Sequence, residues 1–353
     1  MKNLGRKIFK VANVLVVIAL LLCYASGYMH PKLFWMVNGL ALIFPLVYIA
    51  NLLFILLWLW RKSSWLLLSL VIAIIGWGNV SNHFQWSGCE TEEDGINVLS
   101  YNVRYFRDDE NKAHHLDTII NFLNGQKSDI ICLQEASMHK WGKYNPASLK
   151  LKLKGIKHYQ LAHTSDKTGP LTYTRFPILD MGEIRFDRSG NIVIYTDILV
   201  NDDTLRIYNC HLQSYKIKPK DYKFIDSLSV KPNDKQIEEI KQFSWKMKKA
   251  MKMRADQANE VKQHIEASPY PVIVCGDFNA PPMSYAYRKM RSNLKDAFVK
   301  SGKGWGNTLR GKFMNFRIDY ILTNENISPM NYKAHKVSYS DHFPITSTLI
   351  YKN

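Results

Sequence analysis

PVIVCGDFN, residues 271–279, sets the reading of the fold. Val272, Ile273, Val274 and Cys275 run unbroken into a glycine, an aspartate and, two places on, an asparagine. A short, wholly apolar run that stops at a glycine reads as a strand covered on both faces. In extended backbone, side chains two positions apart point to the same side, so Asp277 and Asn279 would face one crevice.

Comparable runs lie on either side of it. INVLSYNV (96–103) and DIICLQE (129–135) read as buried strands. NIVIYTDILV (191–200) and TLRIYNCHL (204–212) read as a hairpin turning at Asn201, Asp202 and Asp203. RIDYILT (317–323) and a closing strand over 345–351 complete the set. Helical spacing places Leu116, Ile119, Ile120 and Leu123 on one face over 111–124, and a long helix is predicted through about 236–266. Strands alternating with helices imply a mixed α/β domain. Nearly every predicted strand ends in a carboxylate, amide or imidazole: Asn102, Glu135, His211, Asp277 with Asn279, Asp319, and Asp341 with His342. One such residue is an ordinary turn former, whereas eight of them on one sheet edge describe a site.

The charges divide the chain in two. Of 353 residues, 47 are Lys or Arg and 30 are Asp or Glu, yet no acidic residue precedes Glu90. Lys2, Arg6, Lys7, Lys10, Lys32, Arg61 and Lys62 give the first 88 residues +7 of the net +17. This split excludes a simple soluble enzyme. A purely membrane-embedded transporter is excluded as well, because residues 89–353 are charged throughout and long enough for a full core. With 46% hydrophobic and 12% aromatic residues, the chain is not disordered.

Residues 11–29 and 33–60 are uncharged throughout, the second broken near its middle by Pro45, and 65–86 is a third uncharged stretch that turns polar at Asn79. About 20 apolar residues cross a bilayer, so the expectation is a three-helix transmembrane anchor over 1–88 and a catalytic domain over 89–353. Helices of a soluble core are the competing reading, but they would need polar faces that these stretches almost lack. A cleaved signal peptide is the other. Against it, the next apolar stretch begins within a few residues, and Leu22 stands before Cys23 where a lipoprotein signal places a small residue. Basic flanks stay cytoplasmic, so three passages put the N-terminus inside and the large domain outside, with Trp58, Trp60, Trp65, Trp77 and Trp86 as interfacial anchors. If the third stretch did not cross, the domain would be cytoplasmic. Cys132, Cys210 and Cys275 sit inside apolar strands as small buried hydrophobes, and no CxxC suggests zinc.

LSYNVR (99–104), ICLQE (131–135), YTRFPI (173–178), NCHL (209–212), CGDFNAPP (275–282), RIDYIL (317–322) and SDHFPI (340–345) together resemble the endonuclease/exonuclease/phosphatase superfamily in order and approximate spacing. The match covers about 96–351, with GDFN and SDH its most specific pair. The resemblance implies a four-layer α/β/β/α sandwich of two mixed sheets and hydrolysis of a phosphoester by an activated water. Within it, Glu135, Asn102 and Asp341 would be ligands for Mg²⁺ or Mn²⁺, which suit an all-oxygen set. Asp277 would orient and deprotonate the water, and Asn279 would hold a phosphoryl oxygen. His342, kept cationic by Asp319, would contact the phosphate, with His211 as a second contact or proton donor. Arg175 and Asn191 would line the same pocket. Arg317 is read as an exposed arginine beside Asp319.

Residues 216–254 hold twelve basic and five acidic residues interleaved with Tyr222, Phe224, Phe243 and Trp245. A solvated helix surface, a nucleic-acid contact and a docking face for anionic lipid headgroups are all compatible with that pattern. The expected partners are therefore a membrane and a phosphoester, either nucleic acid or lipid headgroup. A catalytically silent relative that binds phosphate ligands is the alternative to the enzyme.

Overall fold

The structure is a computed structural model, described here for residues 2–106, 115–137, 145–163, 168–217, 221, 233–311 and 315–352. Tyr222, Phe224, Lys218, Lys220, Lys223 and Lys231 of the basic segment, and the start of the helix expected from 111, lie outside the described residues. The chain divides into two compact units, one of Met1–Trp77, Gln213–Ala258 and Met283–Arg288, the other of Gly78–Leu212, Asn259–Pro282 and Lys289–Asn353.

The first unit begins with helices α1 (Lys2–Ser26), α2 (Pro31–Gly39), α3 (Phe44–Trp60) and α4 (Trp65–Ile75). Residues Leu4–Ser26 of α1 are long and apolar enough to cross a membrane. The second apolar stretch is not one straight helix: it bends by 62° between Leu42 and Phe44. Pro45 supplies the reason, since without an N–H it belongs in the first turn of a new helix. The third stretch is shorter than expected. α4 ends after 11 residues at Gly76, roughly 16 Å of helix against about 30 Å of hydrocarbon.

Asn13, Asn51 and Ser69 are buried together with apolar side chains such as Leu20 and Phe44, while much of the exterior of these helices is apolar, unlike a water-soluble bundle. Trp58 Nε1 donates to Asn13 Oδ1 at 2.8 Å, Asn13 Nδ2 to Ser69 Oγ at 2.8 Å, and Asn51 Nδ2 to the Ser69 carbonyl at 3.0 Å, all buried. Trp58 is thus an internal hydrogen-bonding residue and not an interfacial anchor. Leu15, Leu53, Leu56, Leu67 and Ile74 are exposed. After α1, Ser26 Oγ donates to the Met283 carbonyl (3.0 Å), and Lys32 Nζ meets Asp256 Oδ1 at 2.8 Å.

In the second unit, helix α5 (Trp77–Val80) leads to β1 (Phe84–Gln85), β2 (Ile96–Asn102), α6 (Leu116–Gln126), β3 (Ile130–Ser137), α7 (Pro146–Lys152), β4 (His158–Leu161), β5 (Thr168–Thr174), β6 (Ile178–Arg185), β7 (Ile192–Val200) and β8 (Asp203–His211). Helix α8 (Asp234–Glu266), which starts in the first unit, is followed by β9 (Val272–Asp277), α9 (Tyr285–Arg291), β10 (Lys295–Asp296), α10 (Ala297–Ser301), β11 (Gly304–Trp305), β12 (Asp319–Thr323), β13 (Ile327–Ala334) and β14 (Ile345–Tyr351). Two six-stranded sheets result, ordered β13-β14-β2-β3-β5-β4 and β10-β12-β9-β8-β7-β6. Each has one parallel pair at its centre, β2–β3 and β8–β9, and antiparallel neighbours elsewhere.

The inner faces pack on each other through Val98, Ile130, Cys132, Ile207, Ile273, Cys275, Ile321 and Ile345. The outer face of the first sheet packs through Leu99, Tyr101, Leu133 and Leu171 against Ile119 and Leu123 of α6 and Leu149 of α7. On the second sheet the Tyr208 hydroxyl meets His264 Nδ1 of α8 at 2.8 Å. This is the α/β/β/α sandwich, and it explains why β9 opens as an unbroken apolar run: both faces are covered. The expected hairpin is present, Val200 pairing Asp203 across Asn201 at φ 54°. Gly276 is dictated by its neighbour: at φ 138° it opposes Cys210 in the parallel pair, and a Cβ there would lie 2.0 Å from the Cys210 carbonyl oxygen.

Candidate active site

Register assembles the first row of the site. Asp277 pairs with His211 across β8–β9 and with Asp319 across β9–β12, so the three lie side by side on the inner edge of the second sheet. They continue the inward series of Ile207, Cys275 and Ile321 by the two-residue period of a strand. From the first sheet, Asn102 follows Val98 and Ser100 on the same terms and donates from Nδ2 to Asp277 Oδ2 at 3.0 Å.

Glu135 does not follow that rule. Ile130 and Cys132 face inward, so simple alternation sends Glu135 outward. A register shift between Leu133 and Ala136 and a φ of 52° at Glu135 turn it back toward His211, with Oε1 3.4 Å from Nε2. Asn279 reaches Asp277 by a similar route. β9 stops at Asp277, and Asn279 sits at φ 52°. Its N–H donates to Asp277 Oδ1 at 2.7 Å, and its amide to Asp277 Oδ2 at 3.1 Å and the Leu212 carbonyl at 3.0 Å. Turn geometry, not strand extension, therefore puts the two on one side.

The segment before β14 closes the cluster. Ser340 Oγ lies 2.8 Å from the Asn102 carbonyl oxygen and 3.3 Å from Asp341 Oδ1, and Asp341 Oδ2 is 3.1 Å from Arg104 Nη1. His342 Nδ1 is 2.9 Å from Asp319 Oδ2, while its Nε2 stands 3.8 Å from Asp277 Oδ2. Asp277 is 1% exposed. Burial lifts its carboxyl above the usual range; His342 pulls the other way, Asp319 adds to the lift, and His211 opposes it. Burial disfavours the charge on His342, yet Asp319 and Asp277 outweigh it and hold the imidazole well above the ordinary histidine range. The result is a carboxyl group flanked by two imidazoles, one of which its carboxylate neighbours favour in the cationic form.

Two observations bear on a metal ion. Glu135, Asn102 and Asp341 offer oxygen donors and two of the three side chains are partly exposed, which fits a hard divalent cation. His211 Nε2 is buried without a hydrogen-bond partner among the described residues, as expected of a group aimed at something bound. Asp277, Asp319 and His342 also lie within metal-site spacing, 4.8 Å. There, however, His342 and Asp319 satisfy each other, and a cationic imidazole offers no lone pair to a metal.

The residues expected at the site divide by position. Asn191 Nδ2 donates to the His211 carbonyl at 3.0 Å, bracing that strand end. Arg175, expected in the pocket, lies elsewhere: it follows β5, which runs antiparallel to β3, and pairs with Asp129 at the opposite end of β3 from Glu135. Arg317, expected to be exposed, is buried against Asp296 Oδ2 (2.7 Å) and the Asn82 carbonyl (2.8 Å). Unforeseen at the sequence level are Arg104, Ser340 and the pair below the site in which Gln134 Nε2 donates to Asn209 Oδ1 at 2.8 Å across the sheets. Both polar residues stand inside apolar strand runs, ICLQE and IYNCHL, and that placement was the available signal.

Comparison with known proteins agrees with this geometry. The family model described as the endonuclease/exonuclease/phosphatase family matches residues 99–342, and one described as a domain of unknown function (DUF8431) matches 6–83. No curated protein matches the chain. Among solved structures, an endonuclease/exonuclease/phosphatase family protein from Bacteroides thetaiotaomicron aligns with TM-score 0.52 at 18% identity, over 73% of this chain and 95% of its own. The mannosyl-6-phosphatase Bt3783 of the same organism aligns with TM-score 0.51 at 18% identity, over 72% of this chain and 100% of its own. A humanized D. rerio TDP2 aligns with TM-score 0.52 at 17% identity, over 73% and 100%. These similarities establish the shared fold, and with a family model spanning most of the sequence, the chain belongs to the endonuclease/exonuclease/phosphatase family, whose members are hydrolases acting on phosphoesters.

Proposed function

We propose that this chain is a membrane-anchored, divalent-metal-dependent phosphoesterase that hydrolyses phosphodiester or phosphomonoester bonds. The observation that carries the reading is the state of Asp277, held by Asn102 and Asn279 and flanked by His211 and His342. Asp277 orients the attacking water and takes its proton. His342, kept charged by Asp319, binds a phosphoryl oxygen and stabilises the charge that grows on it. His211, aligned through Asn191, serves as second contact or as proton donor to the leaving oxygen. Asn279 keeps both Asp277 oxygens in place. Glu135, Asn102 and Asp341 would hold Mg²⁺ or Mn²⁺, which neutralises phosphate charge during such transfers.

The polarity of α1–α4 supports the membrane anchor: interhelical hydrogen bonds among Asn13, Trp58 and Ser69 and a largely apolar exterior are what a bilayer selects. With the basic N-terminal flank inside, an outward catalytic unit requires that the short helix α4 also complete a passage; without it the unit is cytoplasmic. An alkaline phosphatase fused after Asn353 is active in the outward topology; an inactive fusion with an active cytoplasmic reporter rejects that topology.

The activity is tested on the full chain in detergent or nanodiscs with Mg²⁺, against bis-p-nitrophenyl phosphate, p-nitrophenyl phosphate, plasmid DNA and phospholipid vesicles. Turnover that needs Asp277 is expected, and the preferred substrate separates nucleic acid from lipid headgroup. Absence of turnover on all four leaves the silent binding relative instead, and full activity in Asp277→Ala removes Asp277 from the mechanism.

A further inference from the structure

A basic surface of the first unit lies on α8. Between Glu239 and Asp256 the sequence has no acidic residue, and six basic ones, Lys241, Lys246, Lys248, Lys249, Lys252 and Arg254, fall in that interval. Two of the six are occupied internally: Lys246 pairs with Asp221, and Arg254 is buried, its Nε donating to the Gln213 carbonyl at 2.7 Å, while Lys241 stands 4.0 Å from Glu238 Oε2 in an exposed pair that solvent screens. The other four fall with Trp245 at spacings of four, seven, eight and eleven from Lys241, which is one face of a helix. Ala250, Met251, Ala255 and Ala258 of the same helix are buried, with Ala250 opposite the stripe.

Trp245 is 63% exposed, with Lys249 Nζ 5.2 Å from its ring centre. A large aromatic left in water among lysines is a poor device for solubility and a good one for a bilayer interface, where the ring enters the headgroup layer while ammonium groups meet phosphates. The surroundings place that interface. Four residues beyond the stripe, Asp256 is held by Lys32 Nζ at 2.8 Å and faces His30 Nε2 at 3.4 Å, both from the stretch that follows α1. Helix α2, which begins there, exposes Leu33, Phe34 and Met36.

We propose that Lys241, Trp245, Lys248, Lys249 and Lys252 form a docking stripe for the anionic phospholipid surface of the same bilayer that α1 enters. The inference rests on the membrane reading above and adds to it: α1 supplies attachment, and α8 reads headgroup charge. Nucleic acid would also attract the lysines, but the helix that carries them is tied at Asp256 to the stretch that follows α1, which favours the bilayer as the anionic surface within reach.

The test uses the full chain in nanodiscs of phosphatidylcholine alone or with phosphatidylglycerol, reading amide hydrogen exchange over residues 241–252. Phosphatidylglycerol is expected to slow exchange at least about fivefold, with the effect removed by high salt and by K241Q/K248Q/K249Q. Equal exchange in the two lipids overturns the docking stripe alone, and failure of the chain to enter discs overturns the membrane reading with it. Protection by duplex DNA in phosphatidylcholine discs, without an effect of phosphatidylglycerol, reassigns the stripe to nucleic acid and overturns the proposal.

Discussion

Asn102 and Asp277, 175 positions apart, meet across the seam between the two sheets, the amide of one donating to a carboxylate oxygen of the other at 3.0 Å. Neither side chain can be placed without the sheet stacking that brings β2 opposite β9. The bond also fixes one Asp277 oxygen, leaving its orientation independent of any substrate.

Asp277→Asn preserves shape and most hydrogen bonds while removing the base. A fall in kcat of about 10²–10⁴-fold with little change in KM is expected, the size typical of a lost general base. Asn102→Ala, which removes one of the three hydrogen bonds that hold the carboxylate, gives a smaller loss in the same direction. Steady-state kinetics on bis-p-nitrophenyl phosphate decide it: an Asp277→Asn enzyme within tenfold of the parent removes Asp277 from the role of base.

The pH profile should depend on Asp319. As the proposed base Asp277 would work deprotonated, so its elevated pKa should place the rising limb above that of an ordinary carboxylate. His342 works protonated and its pKa is raised, so activity persists through neutral pH and falls as pH climbs through the folded pKa. In Asp319→Asn, burial is opposed by Asp277 with less help, and the imidazole loses its proton at lower pH. The falling limb of kcat/KM therefore moves toward acid. A limb that stays in place shows that another group sets it.

Chelation separates the metal ligands from the base. EDTA should abolish turnover and Mg²⁺ restore it. Glu135→Gln should raise the Mg²⁺ concentration for half-maximal activity by at least about tenfold, with much of the rate recovered at saturation. Titration calorimetry of Mg²⁺ gives the same ranking without turnover. Unchanged Mg²⁺ affinity in Glu135→Gln moves the ion to other side chains.

The strand ends were legible because a two-residue period carries His211, Asp277, Asp319 and Asn102 inward with no further information. What escaped the sequence depends on chain segments far apart or on local departures from the period. Glu135 reaches the cleft through a register shift that no spacing announces. Arg175 stands beside a recognisable run, but adjacency does not say which end of the sheet it occupies, and the antiparallel pairing of β5 with β3 carries it away. Hydropathy likewise marked 65–86 as one apolar stretch, whereas the helix stops at Gly76.

Two arginines misjudged from sequence make opposite predictions for stability. Arg317 is 3% exposed, its guanidinium on Asp296 at 2.7 Å, and Asp296 in turn caps α10 through the Phe298 N–H at 2.9 Å. Arg317→Ala strands a buried carboxylate, a change that typically costs about 3–5 kcal/mol. Arg175 pairs with Asp129 at the same 2.7 Å, but its side chain is 59% exposed, and solvent screens the pair to about 1 kcal/mol or less. Thermal melts of the full chain in detergent should show a large drop in midpoint for Arg317→Ala and a small one for Arg175→Ala. Turnover by Arg175→Ala should match the parent, since Arg175 lies at the far end of β3 from Glu135. A catalytic defect in Arg175→Ala without loss of stability contradicts that placement, and an unshifted midpoint in Arg317→Ala shows that the protein can relax around an unpaired Asp296.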